Sequence, residues 1–243
     1  MRTELRKREF QKGLDNPSAV DTITLTWRQV EVTVSTKRKS RDLANSSLQR
    51  AIDVFRKSGG VLRTVEVLRA GVHQRTLYAM REAGIVDRLD RGLYRLADNP
   101  PLANPDLVVV AAKAPKGVVC LISALAYHNL TTQIPHEVYL AVQRGSEFPR
   151  IEHPPIRIIQ MGRAAFREGI ETHDIDGVRV RVYDPEKTLA DCFKFRNKIG
   201  LDTVVEALRF YRQRRKVKAS NLMRYAAVCR VADVMRPYLE TLL

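Results

Sequence analysis

The sequence has too few cysteines, too widely spaced, for a disulfide or zinc framework. Cys120, Cys192 and Cys229 are odd in number and far apart, which indicates free thiols in a reducing compartment. No apolar run approaches the ~20 residues that a membrane-spanning helix needs. The N-terminal stretch MRTELRKREFQKG contains no apolar signal core. We therefore expect a cytoplasmic protein with no membrane partner.

Familiar catalytic signatures are also missing. The sequence contains neither G-x-S-x-G nor a glycine-rich phosphate loop. Glu137 and Asp184, near the ends of strand-like segments, leave open a metal-dependent nuclease that would hold Mg²⁺ and an attacking water. The lysine that such a site uses lacks the usual spacing within one strand. We therefore expect no enzyme activity, no metal and no cofactor.

Acidic residues are scarce relative to basic ones. The 243 residues include 42 Lys and Arg against 27 Asp and Glu, a formal net charge of +15, and both halves of the chain are basic. Such an excess is matched by a polyanion or solvated, and nucleic acid is the default partner. With 44% hydrophobic residues, the chain can also bury a sizeable core.

Residues 44–98 show the order helix, helix, helix, hairpin. Gly59-Gly60 ends the first helix, Thr64 is expected to cap the second, and Asp90-Arg91-Gly92 forms the hairpin turn. The expected inward apolar positions are Leu48, Ile52 and Phe55 in the first helix, Val65 and Leu68 in the second, and Leu77 and Met80 in the third.

The stretch AGVHQRTLYAMREAGIV, residues 70–86, resembles the turn and second helix of a helix-turn-helix. Such a helix places its first turns against base edges in the major groove. Arg75 can pair with guanine and Gln74 with adenine, whereas Tyr78 can reach a thymine methyl group or a phosphate. The full set of expected DNA contacts is Thr64, His73, Gln74, Arg75, Tyr78, Arg81 and, from the hairpin as a wing, Arg88, Arg91 and Arg95. A winged helix that only binds proteins is the alternative.

The segment NPPLANPD, residues 99–106, has three prolines and predicts a domain boundary. Residues 106–243 then predict a mixed α/β domain that ends in a helical bundle, so the fold class is α+β. Asp184 followed by Pro185 is a helix start signal. Residues 1–43 are interpreted as an extension with strand-like alternation.

Several motifs resemble the AbiEi family of antitoxins from bacterial type IV toxin–antitoxin (abortive infection) systems. The segment GGVLRTVEVLRAGVHQRTLYAMREAGIVDRLDRGLYRL is similar to the family's winged helix. LISALAYHNLTTQIPHEVYLAV, VYDPEKTLADCFKFRNKIGLDTVVEALRFY and VMRPYLETLL are similar to its C-terminal half. The resemblance covers about residues 45–243.

This resemblance implies a phage-defence antitoxin that binds inverted repeats in operator DNA and represses its own operon. It also implies that the C-terminal domain counteracts an AbiEii-like nucleotidyltransferase toxin without a stable complex. The sequence specifies no oligomeric state. One helix face is a candidate for the antitoxin activity, although an ion-paired structural surface is the simpler interpretation: Asp184, Lys187 and Asp191, with Lys194 and Arg196 nearby.

Two further alternatives stay open from the sequence. The second domain could sense a ligand for a plain transcriptional regulator. The run RFYRQRRKVK, residues 209–218, could form a second DNA-contacting surface or a solvated helix end.

Overall fold

The computed structural model describes residues 46–214 and 217–242. The chain divides into two units, Met1–Ile52 and Asp53–Leu243. In the first unit, residues 46–52 are helical, and the predictions for residues 1–43 lie outside the described residues. None of the described helices is long and apolar enough to cross a bilayer.

The predicted order of helices and hairpin in the first part of the chain is confirmed. Its elements are α1 at 46–57, β1 at Val61–Arg63, α2 at Thr64–Arg69, α3 at Gln74–Glu82, β2 at Val86–Asp90 and β3 at Leu93–Leu96. The strands form an antiparallel sheet in the order β1-β3-β2. The β2–β3 turn contains Gly92 at a φ of +74°, a left-handed conformation that glycine adopts without steric cost.

Helix α2 differs from the prediction in its start and in its buried face. Arg63, not Thr64, is the N-cap, because its backbone N–H donates to the Glu66 carboxylate at 2.8 Å and its guanidinium binds the same group at 2.9 Å. This capping box fixes the short helix so that Val67 is buried. The expected inward residues are wrong: Val65 is 53% exposed and Leu68 is 42% exposed.

The C-terminal part contains a second sheet, whose five strands lie in the order β6-β5-β4-β8-β7. Its strands are β4 at Val118–Val119, β5 at Val138–Gln143, β6 at Ile156–Met161, β7 at Ile170–Ile175 and β8 at Val178–Tyr183. Its helices are α4 at Pro105–Lys113, α5 at Leu121–Tyr127, α6 at Arg163–Arg167, α7 at Pro185–Lys194, α8 at Arg196–Ile199, α9 at Leu201–Arg212, α10 at Ala219–Cys229 and α11 at Ala232–Leu242. The β7–β8 hairpin turns at Asp176-Gly177.

Helix α7 lies at the centre of the C-terminal helices and packs against α5, α9, α10 and α11. Its side chains Leu189, Ala190 and Phe193 are fully buried in the larger apolar core of the domain. This packing confirms the predicted helical bundle at the end of an α+β fold.

The winged-helix segment and the C-terminal segment share apolar packing. Val61 and Leu93 belong to the same buried cluster as Leu107 of α4. At Gly59, with a φ of +82°, a Cβ atom would lie 2.6 Å from the Gly177 Cα, so only glycine fits this approach. The domain boundary at 99–106 stays a prediction, since the two sheets are separate but the buried cluster joins them.

Candidate nucleic-acid interface

Helix α3 begins at a histidine cap and buries one face. The His73 Nδ1 accepts a hydrogen bond from the Arg75 backbone N–H at 3.1 Å, which satisfies one free donor of the first turn. Leu77 and Met80, one helical turn apart, are fully buried. The opposite face of the helix therefore points outward. The prediction of this helix and its inward residues is confirmed.

The outward face of α3 is polar and open. Gln74, Arg75, Tyr78 and Arg81 are exposed. The Gln74 Nε2 donates to the Tyr78 hydroxyl at 2.6 Å, and the Arg81 guanidinium lies 5.8 Å from the Tyr78 ring centroid. Within the described chain the Arg75 side chain makes no ion pair. These side chains are therefore available to a partner.

The wing is held by an aspartate at its turn. The Asp90 carboxylate accepts from the Arg91 backbone N–H at 2.5 Å and forms an ion pair with Lys113 of α4. Arg88 Nε donates to the Asp90 carbonyl at 3.3 Å. Burial raises the pKa of Asp90, but the bonds from Lys113 and Arg91 outweigh it and hold the pKa below its usual value. Arg88 and Arg91 stay exposed.

Two of the expected DNA contacts are already occupied within the protein. The Thr64 backbone N–H donates to the Gly92 carbonyl at 2.9 Å and its hydroxyl donates to the same oxygen at 3.4 Å. The Arg95 guanidinium, half-buried, donates to the carbonyls of Leu96 at 3.2 Å and Asn99 at 2.7 Å. A phosphate would have to displace these bonds to reach Thr64 or Arg95, and their contacts with DNA stay predictions.

The proposed antitoxin face is wrong as a surface, since three of its five residues are buried. Asp184 is 8% exposed, Asp191 1% and Lys187 0%. The Lys187 ammonium pairs with the Asp191 carboxylate and lies 4.1 Å from the Tyr183 ring centroid. The spacing that places these residues on one helix face is correct, but that face points into the protein.

The remaining two residues of that set do not complete a surface. Lys194, at the end of α7, is exposed. The half-buried Arg196 guanidinium donates to the Phe193 carbonyl at 2.9 Å. Of the predicted antitoxin face, Lys194 alone therefore has an exposed side chain.

The buried carboxylates at α7 are bonded on both oxygens. Asp184 caps the helix by accepting from the Lys187 N–H at 2.6 Å, and its second oxygen accepts from the Tyr225 hydroxyl at 2.7 Å. Asp191 accepts from the Cys229 thiol at 3.2 Å as well as from Lys187. Burial, reinforced by the Asp191 carboxylate, raises the pKa of Cys229 to about 12, so the thiol stays protonated and donates.

Sequence reasoning missed Tyr225 and Cys229. They lie 41 and 38 residues from the carboxylates they bind, so no local spacing connects them. Helix α10 places both residues against α7. Side-chain hydrogen bonds between two packed helices leave no periodic signal in the sequence of either helix.

Both nuclease candidates already have partners within the protein. Both oxygens of Asp184 already accept hydrogen bonds inside the core. Glu137 forms a 2.6 Å ion pair with Arg157. Among the described residues no group of three His, Cys, Asp or Glu side chains has the arrangement of a metal site.

The basic run at 209–218 is divided between core and solvent. Tyr211 is fully buried and donates to the Glu186 carboxylate at 2.7 Å. The Arg214 guanidinium donates to the His128 carbonyl, whereas Arg209 is exposed. Residues 215–216 lie outside the described residues, and a DNA contact by this run stays a prediction.

The element order of helices α1 to α3 followed by the antiparallel β2–β3 hairpin is that of a winged helix-turn-helix. Residues 49–97 match the sequence profile of a family described as "Transcriptional regulator, AbiEi antitoxin". This match confirms the predicted resemblance and supports a general role as a transcriptional regulator of the antitoxin type.

A solved structure has a similar fold across most of the chain. The crystal structure of the RV2827C protein from Mycobacterium tuberculosis is 12% identical, with a TM-score of 0.52, and the match covers 77% of this chain and 76% of that chain. At this identity the likeness concerns the fold alone. No curated protein sequence matches the chain.

Proposed function

We propose that this protein binds operator DNA and represses its own toxin–antitoxin operon. The observation that carries the proposal is the open start of α3, where Gln74, Arg75 and Tyr78 project from a helix whose other face is buried. A helix about 10–12 Å across fits the ~12 Å major groove of B-DNA, and its first turns then face base edges.

The chemistry of these side chains suits base recognition followed by backbone contact. Arg75 presents a planar guanidinium that pairs with the O6 and N7 of guanine. The Gln74–Tyr78 hydrogen bond positions both groups before DNA arrives, which reduces the entropy lost on binding. Arg81, Arg88 and Arg91 would contact phosphates, and His73 lies at the same end of the helix.

The C-terminal domain, in this proposal, opposes a nucleotidyltransferase toxin encoded by the same operon, without a stable complex. The family description that residues 49–97 match includes the antitoxin role, which supports this activity for the chain, although the matched segment lies outside this domain. In the same proposal Asp184, Lys187 and Asp191 stabilise the domain, since all three side chains are buried. Co-expression tests the role: the full chain should restore growth to cells that produce the neighbouring nucleotidyltransferase, and continued arrest would contradict it.

Arg75→Ala tests the recognition helix directly. We expect the variant to lose ~1–3 kcal/mol of discrimination at one base pair per half-site, since a bidentate guanine contact is removed. The measurement is a binding titration with operator duplexes changed at single base pairs. Arg144→Ala is the matched control, because it removes one exposed charge outside the proposed contact set. Equal discrimination in Arg75→Ala and the unaltered protein would contradict the assignment.

A further inference from the structure

A basic groove opens in the C-terminal domain, where four segments of the chain meet. It is formed by the turn after α4, the loop after β5, the end of α6 and the middle of β8, and it encloses about 790 Å³. Small-molecule sites in proteins span roughly 300–1,000 Å³. The groove contains none of the residues proposed to contact DNA, so it is independent of the proposed function.

The charged side chains of the groove are almost all cationic. Lys116, Arg150, Arg167 and Arg181 line it, with Glu147 as the one acid among the lining residues. Arg181 Nη1 donates to the Lys116 carbonyl at 2.7 Å, which fixes its guanidinium in the wall. In the described part of the chain Lys116, Arg150 and Arg167 form no ion pair. Lys113 also lines the groove, but its ammonium is committed to Asp90.

Two aromatic rings accompany these cations. Phe148 lies in the loop after β5 and is 50% exposed, which is costly for an apolar ring in water. The Phe166 ring lies in the wall, with the Arg181 guanidinium 5.9 Å from its centroid. The groove therefore offers a ring face for stacking together with guanidinium and ammonium groups that bind phosphate.

We propose that this groove binds a mononucleotide, with the base stacked on Phe148 and the phosphates held by Arg150, Arg167 and Lys116. The combination discriminates among anions: inorganic phosphate would use only the cations, and a base-paired duplex hides its base faces from Phe148. The phosphate-binding groups are side chains from separate segments, so the site needs no glycine-rich loop and leaves no local motif in the sequence.

Calorimetric titration of the full chain with ATP, GTP, CTP and UTP, and with inorganic tripolyphosphate, tests the site. We expect saturable binding of at least one nucleotide, tighter than that of tripolyphosphate. Phe148→Ala should weaken nucleotide binding about tenfold, since it removes the base–aromatic stack, and should leave tripolyphosphate binding unchanged. Combined Arg150→Ala and Arg167→Ala should weaken both ligands. Arg144→Ala, an exposed arginine of the same loop, is the control and should weaken neither.

Three outcomes would overturn the proposal. The first is the absence of saturable binding by every nucleotide. The second is equal affinity for nucleotide and tripolyphosphate with no effect of Phe148→Ala, which would make the groove a nonspecific basic surface. The third is binding of single-stranded oligothymidylate without binding of any mononucleotide, which would assign the groove to a nucleic-acid strand.

Discussion

Helices α3 and α7 both begin with a side-chain cap followed by polar residues, but these residues lie in opposite environments. Each helix has a side-chain cap, His73 in α3 and Asp184 in α7, that accepts a backbone N–H of the first turn. In α3 the polar residues that follow are exposed. In α7 the polar residues Lys187 and Asp191 are buried.

The difference lies in how far each helix is covered. Among the contacts of the described residues, α3 packs against α2 and β2 and leaves Gln74, Arg75 and Tyr78 exposed, whereas α7 is covered by α5, α9, α10 and α11. A charged residue on a covered face must find a partner inside the protein. The same residue on an open face stays available to a partner. In the proposed function the open helix contacts DNA, and the buried charges of the covered helix stabilise the fold.

Of the substitutions that compare α3 with α7, Lys187→Ala should lower the free energy of unfolding most. It leaves the Asp191 carboxylate buried without its ammonium partner, which costs about 3–5 kcal/mol of unfolding free energy. Chemical denaturation followed by circular dichroism measures the loss. Lys194→Ala is the control from the same helix, and because Lys194 is exposed, we expect a change within about 0.5 kcal/mol. Similar small losses in both variants would contradict the buried pair.

Removal of a single tyrosine hydroxyl should lower the free energy of unfolding by a smaller amount. The loss should again be larger at α7 than at α3. Tyr225→Phe deletes the donor to the buried Asp184 carboxylate, and we expect a loss of about 1.5–3 kcal/mol. Tyr78→Phe deletes an exposed hydroxyl bonded to Gln74 and should cost less than about 0.5 kcal/mol. Denaturation curves of the two variants give the comparison, and the reverse order would refute it.

Replacement of Asp90 in the wing should lower the free energy of unfolding by a smaller amount that depends on pH. Because the folded-state pKa of Asp90 lies below its ordinary value of 3.8, its ionised form stabilises the fold at neutral pH, and this stabilisation is lost as the pH falls through the folded-state pKa. Asp90→Asn keeps the shape and an oxygen for the Arg91 N–H. We expect the variant to be less stable than the unaltered protein at pH 7.

The difference should begin to shrink as the pH falls below about 4, where the unfolded chain takes up the proton, and should be lost once the pH lies below the folded-state pKa. Denaturation at a series of pH values measures it. A difference that keeps its size down to the acid limit would show that the charge of Asp90 is irrelevant to the wing.

The sequence predicted the fold where local signals were strong. The Asp184-Pro185 start of α7 and the burial of Leu77 and Met80 were predicted, because caps and helical spacing are local. The inward face of α2 was not predicted. A helix of six residues has fewer than two turns, so its pattern cannot select Val67 over Val65 and Leu68.

The burial of the α7 charges could not be predicted from spacing. Spacing places Lys187 and Asp191 on one face, but only the arrival of α10, about thirty residues later, decides that this face is covered. For the same reason the basic groove was not predicted, as its cations come from segments that meet only after folding.

A cleavage reagent attached to α3 tests the central claim most directly. Cys120, Cys192 and Cys229 are all buried, so a cysteine introduced by Ala79→Cys, at an exposed position of α3, can carry an iron chelate selectively. We expect operator cleavage confined to each half-site, with the strand offset of major-groove attack. The same reagent attached through Ala164→Cys, at an exposed position of α6, should cut weakly and without pattern. Minor-groove offsets from position 79, or equal cleavage from both positions, would contradict the claim that α3 enters the major groove.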